Sequence, residues 1–210
     1  MFEITQNEGE FLVRLARGSI VTYLRDRKEM ATPKDTPPKL REKSGVFVTL
    51  SDVKLERSLR GCIGYPLPHM ELVKATIHSA IEAATGDPRF PPVTLKEFND
   101  RIAAEVSVLT TPTQIQVKHP REFVGQTKVG RDGLVIEKGS FRGLLLPQVP
   151  VECKWDEEEF ICQCCIKAGL APDAWLLEGT KVYKFQAIVY EEDSPNGNVK
   201  LKELTPEETE

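Results

Sequence analysis

The order in which helical and strand patterns follow one another most constrains the fold of this 210-residue chain. Apolar residues recur at near-helical spacing from Asn7 to Arg27, and two extended stretches follow, Gly45 to Leu50 and Leu55 to Ile63. A second helical run ends at Gly86, and a β-rich stretch then predicts a strand from Ile102 to Leu109. Because these patterns do not form repeated βα units, the sequence predicts an α+β fold, with a mostly antiparallel sheet and covering helices.

The second half of the chain continues this irregular order. Two or three strands are predicted between Lys128 and Leu146, and a helix is predicted from its N-cap Asp156 to Ala168. Alternation from Lys181 to Tyr190 predicts a closing strand, and the acidic tail from Glu203 to Glu210 is predicted to be frayed. At this length we expect one domain with an appended lobe.

Charge and hydropathy narrow the classes of partner. The 28 basic and 32 acidic residues are mixed along the chain and leave a net charge of -4, so no global field attracts nucleic acid or an anionic membrane. No apolar run approaches the roughly 18 residues that span a bilayer, and the N-terminal residues lack the pattern of a signal peptide. We therefore expect a cytoplasmic protein that does not enter membranes and does not rely on nucleic acid.

The five cysteines favour reduced thiols over a secreted disulfide framework. Three of them, Cys162, Cys164 and Cys165, crowd one predicted helix. A zinc site usually draws on a second pair of ligands, and no such pair accompanies this cluster. The sequence therefore predicts no metal site, and it contains no familiar phosphate-binding, dinucleotide-binding or hydrolase motif.

The loop Leu59-Arg60-Gly61-Cys62-Ile63-Gly64 is the first candidate for chemistry. Gly61 and Gly64 permit a close backbone approach or a positive φ on both sides of Cys62. Arg60 could lower the pKa of the thiol or hold an anion, as an exposed reactive cysteine would require. The alternative is that Cys62 is a small buried hydrophobic residue and Arg60 a solvated charge.

The proline-rich segment Asp87-Pro88-Arg89-Phe90-Pro91-Pro92 is the second candidate. Its prolines stiffen the backbone and could present Asp87 and Arg89 rigidly. The guanidinium of Arg89 suits a carboxylate or a phosphate. The alternative is an internal bond between Asp87 and Arg89 that only shapes the loop.

Two polar residues on apolar strands complete the candidates. Gln148 is predicted to end the apolar strand that begins at Gly143, and it could point a donor and an acceptor into a cleft or simply satisfy loop backbone. Glu105 lies within the strand Ile102 to Leu109. It is either a buried general base or an outward-facing residue of that strand.

Taken together, these strings resemble the AMMECR-type family, most closely its archaeal members. The resemblance is carried by Ser44-Gly45-Val46-Phe47-Val48-Thr49-Leu50, the Leu59 to Gly64 loop, Asp87-Pro88-Arg89-Phe90-Pro91-Pro92-Val93, Glu105-Val106-Ser107-Val108-Leu109, Leu146-Pro147-Gln148-Val149, Cys165-Ile166-Lys167-Ala168-Gly169-Leu170 and Trp175.

The resemblance implies a single AMMECR-type domain over residues 1–210. In it, a larger lobe is built from both chain halves, a smaller lobe is inserted between them, and the Cys62 loop lies near the cleft. It also implies Memo-like and radical-SAM-like partner proteins in a shared modification pathway, but no established activity and no identified cofactor. Only Cys165 of the three clustered cysteines matches the family pattern.

Two hypotheses of function follow. In the first, the protein is an enzyme or enzyme subunit that uses Cys62 as nucleophile or thiol carrier. Arg60 and Arg89 hold an anion, and Glu105 or Asp87 is the acid–base group. In the second, it is a non-catalytic module that binds a small anionic ligand, a nucleotide or a partner protein. The candidate ligand-binding residues are Arg60, Gly61, Gly64, Asp87, Arg89 and Gln148.

Overall fold

The computed structural model describes residues 3–203, in which helices and strands follow one another irregularly. The α-helices are α1 (Gln6–Asp26), α2 (Leu72–Thr85), α3 (Leu95–Arg101), α4 (Glu122–Gln126), α5 (Gln148–Glu152) and α6 (Glu157–Lys167). The strands are β1 (Gly45–Asp52), β2 (Ser58–Tyr65), β3 (Ile102–Leu109), β4 (Thr113–Gln114), β5 (Gly133–Lys138), β6 (Phe141–Leu145), β7 (Lys181–Phe185), β8 (Ala187–Glu192) and β9 (Val199–Leu201). The predicted α+β fold with antiparallel sheets is confirmed.

The chain divides into two units. Unit 1 comprises residues up to Leu109 together with Ile188–Lys202, and unit 2 comprises Thr110–Ala187. Residues 204–210, which make up most of the tail predicted to be frayed, lie outside the described residues.

Unit 1 is built on a five-stranded sheet with the strand order β2-β1-β3-β8-β9. One face of this sheet is apolar because alternate residues of β1, such as Val46, Val48 and Leu50, are fully buried in the core. α1 and α2 cover this face, and α2 presents small residues such as Ala80 and Ala83 to it. The opposite face carries Thr49 of β1 together with two candidate residues, Cys62 of β2 and Glu105 of β3.

The two helices that cover the sheet begin and end where the sequence indicates. α1 starts at a capping box, in which Thr5 accepts a hydrogen bond from the Glu8 backbone and Glu8 accepts one from the Thr5 backbone. It ends where Arg27 adopts a left-handed conformation. α2 ends at Gly86, as predicted.

Unit 2 contains a four-stranded sheet with the order β4-β7-β5-β6, and α6 packs against it. The core between them includes Leu134, Ile136 and Phe160, all fully buried. α6 is capped by Asp156, whose side chain accepts the Glu159 backbone N–H at 2.8 Å, so the predicted N-cap is confirmed.

Two strand predictions need correction. The stretch from Lys181 to Tyr190 is not one strand, because β7 pairs with β5 in one sheet and β8 belongs to the other sheet. The apolar alternation continues across Gln186, and alternation alone does not reveal a change of sheet. The turn of the β1–β2 hairpin lies at residues 53–57 instead of 51–54, so β2 begins at Ser58.

Within residues 3–203, no helix is long and apolar enough to cross a membrane.

Candidate functional site

Three polar side chains form a row across the sheet of unit 1. Cys62 on β2 lies opposite Thr49 on β1, and Thr49 lies opposite Glu105 on β3. The Thr49 hydroxyl donates to the Cys62 sulfur at 3.2 Å. Glu105 is buried and accepts a hydrogen bond from the Lys202 ammonium at 2.9 Å. A thiol, a hydroxyl, a carboxylate and an ammonium therefore follow one another on the polar face.

Asp87 and Arg89 hold the backbone of Cys62 at the edge of this sheet. β2 is the edge strand, and the backbone N–H of Cys62 donates to Asp87 Oδ2 at 2.9 Å. Arg89 Nη2 donates to the Cys62 carbonyl at 3.3 Å. The two side chains thus occupy the places that the carbonyl and N–H of a further strand would take, which fixes the position of Cys62.

Asp87 and Arg89 are also bound to each other. Arg89 Nε donates to Asp87 Oδ1 at 2.9 Å, and Nη2 donates to Oδ2 at 2.6 Å. These hydrogen bonds hold the pKa of the Asp87 carboxyl well below its usual range, with backbone N–H donors adding to the effect. Asp87 therefore stays ionised at neutral pH, which makes it a poor general acid.

The thiol of Cys62 is not activated. Burial raises its pKa and is the largest influence, whereas the hydrogen bond from Thr49 lowers it by less. Smaller effects follow from the charges of Glu105 and Asp87, which raise the pKa, and of Arg89, which lowers it. The interpretation that Arg60 lowers this pKa is wrong, because the Arg60 side chain binds Glu97 of α3 instead.

Arg60 is directed toward Glu97 by an irregularity in β2. Between Leu50 and Ser51 of β1 the register shifts from Gly61 to Leu59, so Arg60 is the extra residue of a β-bulge. A bulge re-aims a side chain. Arg60 Nε donates to Glu97 Oε1 at 2.7 Å and Nη2 donates to Oε2 at 3.3 Å, while its Cζ lies 5.8 Å from the centroid of the Phe90 ring.

The segment Leu59 to Gly64, predicted to be a loop, lies within strand β2, and its two glycines provide close packing. A Cβ atom at Gly61 would clash with the backbone carbonyl of Ala83 on α2, and one at Gly64 would clash with Val46 and Phe47 on β1. Neither glycine has a positive φ. The close backbone approach is thus the reason for these glycines, and each contacts protein backbone at the place where a Cβ would stand.

A protein-family model described as AMMECR1 matches residues 13–190 of the chain. The chain belongs to the AMMECR1 family. Protein PF1979 of Pyrococcus furiosus is 58% identical over 209 residues, which cover 99% of each chain. Protein MJ0810 of Methanocaldococcus jannaschii is 52% identical and covers 96% of this chain and 98% of its own.

An AMMECR1-family relative has a closely similar solved structure. The crystal structure of the uncharacterized protein PH0010 from Pyrococcus horikoshii matches with a TM-score of 0.93 at 56% identity, covering 96% of this chain and all of that one. The AMMECR-type resemblance predicted from sequence is therefore confirmed. These names state no activity, so function has to be argued from the residues.

The structure brings only part of the predicted set into contact. Cys62, Asp87 and Arg89 touch directly, and Arg60 lies against the same Phe90 ring as Arg89. The prediction that Gln148 ends a strand is wrong, because β6 stops at Leu145 and Gln148 is the first residue of α5. Gln148 is buried in unit 2, and it does not line the pocket there between residues 114–120 and 175–180.

Sequence reasoning missed three partners of the candidate residues: Thr49, Glu97 and Lys202. A signal existed for two of them. Alternation along β1 places Thr49 on the face opposite Val48 and Leu50, and the motif Thr94-x-x-Glu97 is a capping box at the start of α3. For Lys202 the sequence holds no such signal, since its pairing with Glu105 depends on the tertiary fold.

The cysteines add no further site. All five are free thiols, and within residues 3–203 no group of three or more His, Cys, Asp and Glu side chains is placed to hold a metal ion. Burial raises the pKa of Cys164 to about 12 and that of Cys165 to about 11, as expected for thiols within a core.

Proposed function

We propose that the protein binds a small anionic ligand through the guanidinium groups of Arg60 and Arg89. The observation that carries this proposal is their common position beside Phe90, whose ring centroid lies 5.8 Å from the Arg60 Cζ and 5.5 Å from the Arg89 Cζ. Paired guanidinium groups are well suited to carboxylates and phosphates.

The orientation of both guanidinium groups is fixed before a ligand arrives. Glu97 binds the Nε and Nη2 atoms of Arg60, and Asp87 binds the same two atoms of Arg89. Such preorganisation lowers the entropic cost of binding. The Arg89 side chain remains 48% exposed and that of Arg60 only 14%, so a ligand would reach Arg89 first.

The state of the thiol favours binding over covalent chemistry. A thiolate is the nucleophilic form of cysteine, and burial raises the pKa of Cys62, so the thiol stays protonated at neutral pH. Glu105 is held by Lys202, and to take up a proton it would have to weaken that ion pair. We therefore assign Cys62 to the floor of the ligand site as a neutral group.

The test is calorimetric titration with inorganic phosphate and with acetate at constant ionic strength. Arg89→Gln should weaken binding by about tenfold or more, the effect of losing one charged hydrogen bond. Arg131→Gln is a matched control, because Arg131 also donates to an adjacent aspartate at 2.6 Å and is 51% exposed. Equal effects of the two substitutions, or no binding of either anion to the unmodified protein, would refute the proposal.

The row formed by Cys62, Thr49 and Glu105 favours a second candidate, a thiol-dependent enzyme. Here the Thr49 hydroxyl would rotate, take the thiol proton and pass its own proton to Glu105 as the sulfur attacks an electrophile, and Glu105 would then return a proton to the leaving group. The two candidates predict opposite effects of Glu105→Gln on alkylation of Cys62 by iodoacetamide at neutral pH. Loss of a general base slows the reaction, whereas loss of a negative charge that raises the thiol pKa speeds it.

We also propose, from the family resemblance alone, a cytoplasmic location and association with Memo-like and radical-SAM-like proteins. Light scattering of mixed purified proteins tests the association. A mass equal to that of the separate components would contradict it.

A further inference from the structure

The side chain of Arg89 has few unused hydrogen-bond donors, and they all belong to its Nη1 atom. A guanidinium carries five N–H donors. The Nε–H and both Nη2 hydrogens of Arg89 are used by Asp87 and the Cys62 carbonyl. Because the Arg89 side chain forms no other hydrogen bond with residues 3–203, only its two Nη1 hydrogens are available to a ligand. Arg89 therefore cannot bind a carboxylate through both of its terminal nitrogen atoms, because Nη2 already donates to protein acceptors.

Arg60 retains a complete terminal edge. Its Nε and one Nη2 hydrogen are directed to Glu97. Within the described part of the chain it makes no further hydrogen bond, so the second Nη2 hydrogen and both Nη1 hydrogens are available. The terminal Nη1 and Nη2 atoms of Arg60 can therefore pair with two oxygens of one ligand group, whereas Arg89 offers only Nη1.

The charges around these donors are balanced. Glu97 pairs with Arg60, and Asp87 pairs with Arg89, so the four side chains carry no net charge. Attraction by net charge is therefore small at this place, and affinity must come from directed hydrogen bonds. A ligand group with more acceptor oxygens gains more from this arrangement.

We infer that the ligand is a phosphate monoester, and this inference rests on the anion-binding function proposed above. Its phosphoryl group carries three terminal oxygens in a tetrahedral arrangement, so two could pair with the free edge of Arg60 while the third is left for Nη1 of Arg89 beside the same Phe90 ring. A carboxylate has only two oxygens in one plane, and the edge of Arg60 uses both. Arg89 would then remain without an acceptor.

The test compares phenyl sulfate, benzoate and phenyl phosphate by calorimetric titration of the full chain at neutral pH. Phenyl sulfate and benzoate carry the same ring and the same single charge, so they differ in the geometry of the oxygens. Phenyl sulfate should bind about tenfold more tightly than benzoate, and phenyl phosphate at least as tightly as phenyl sulfate. Arg60→Lys should remove most of this preference, because an ammonium has no two-pronged edge.

Arg89→Lys serves as a second variant in the event that Arg60→Lys does not fold, and Arg131→Lys is the control that should keep the preference. Benzoate binding as tightly as phenyl sulfate would overturn the phosphate inference and leave anion binding standing. A preference that survives both Arg60→Lys and Arg89→Lys would also overturn it. If none of the three probes binds, the proposed function fails, and the inference with it.

Discussion

Arg17 donates two hydrogen bonds to Glu192, from Nε to Oε1 at 2.6 Å and from Nη2 to Oε2 at 2.5 Å. Glu192 also accepts the backbone N–H of Ala104 at 3.0 Å, and Arg17 reaches the carbonyl of Ile102 at 2.6 Å. Both charged side chains are buried. This network joins α1 near the start of the chain to β8 near its end, and it explains how both ends contribute to unit 1.

Arg17→Met should reduce the free energy of unfolding by about 3–5 kcal/mol, because it leaves the Glu192 charge buried without its main partner. Urea unfolding followed by circular dichroism measures this loss. Arg25→Met is the control, since Arg25 pairs with Asp26 on the surface and its loss should have a much smaller effect on stability. Equal losses would show that the buried pair does not stabilise unit 1. The double variant Arg17→Met, Glu192→Gln should recover part of the loss.

Gly61→Ala should destabilise the protein by about 1–3 kcal/mol or more, because the new Cβ would push β2 away from the Ala83 carbonyl on α2. Gly125→Ala is the matched control, because nothing lies within 4 Å of a Cβ at Gly125, which is within α4. That change should be neutral or stabilise by up to about 1 kcal/mol. Thermal unfolding measures both, and similar melting temperatures for the two variants would contradict the packing role of Gly61.

Local signals were sufficient to predict the two helices that cover the sheet of unit 1 and the central strand of that sheet. α1, α2 and β3 follow from apolar periodicity and end residues, which are properties of neighbouring positions in the chain. The segments with Cys62 and Asp87 could also be selected from their glycines and prolines, although the first is a strand and not the predicted loop. What could not be predicted is which side chains the candidate residues contact. Arg60 turns to Glu97 only because a bulge shifts the register of β2, and a register is a property of paired strands.

The same limit explains why the predictions for Gln148 and for the stretch around Gln186 are wrong. The apolar residues that lead up to Gln148 predict a strand end there, but the short helix α5 begins at this residue. Likewise, the residues on both sides of Gln186 share one alternating pattern although they belong to two sheets. Whether a segment forms a strand, and in which sheet, depends on the strands beside it. A single sequence does not show which strands are neighbours.

Cys62 should react with iodoacetamide more slowly at pH 7 than Cys153, which is exposed. Its reaction rate should keep rising with pH beyond about 8.5, the usual pKa of a thiol, because burial raises the pKa of Cys62. Peptide mass spectrometry of the alkylated protein measures both rates in one sample, with Cys153 as the internal control. A Cys62 that reacts faster than Cys153 at pH 7 would indicate an activated thiolate and would favour the enzyme candidate.

Asp87→Asn should destabilise the protein at neutral pH by about 1–3 kcal/mol, because it removes the charged acceptor for Arg89 and for the Cys62 backbone. The pKa of Asp87 is depressed in the folded protein, so its ionised form binds fewer protons there than in the unfolded chain. The stability that it contributes is therefore present above about pH 4 and is lost as the pH falls toward the folded pKa. The difference between Asp87→Asn and the unmodified protein should shrink over that range in urea unfolding.

The control Asp26→Asn changes an exposed carboxylate and should have a small effect throughout. A penalty for Asp87→Asn that stays constant from pH 7 to pH 2 would mean that the ionised carboxylate is not what stabilises this loop.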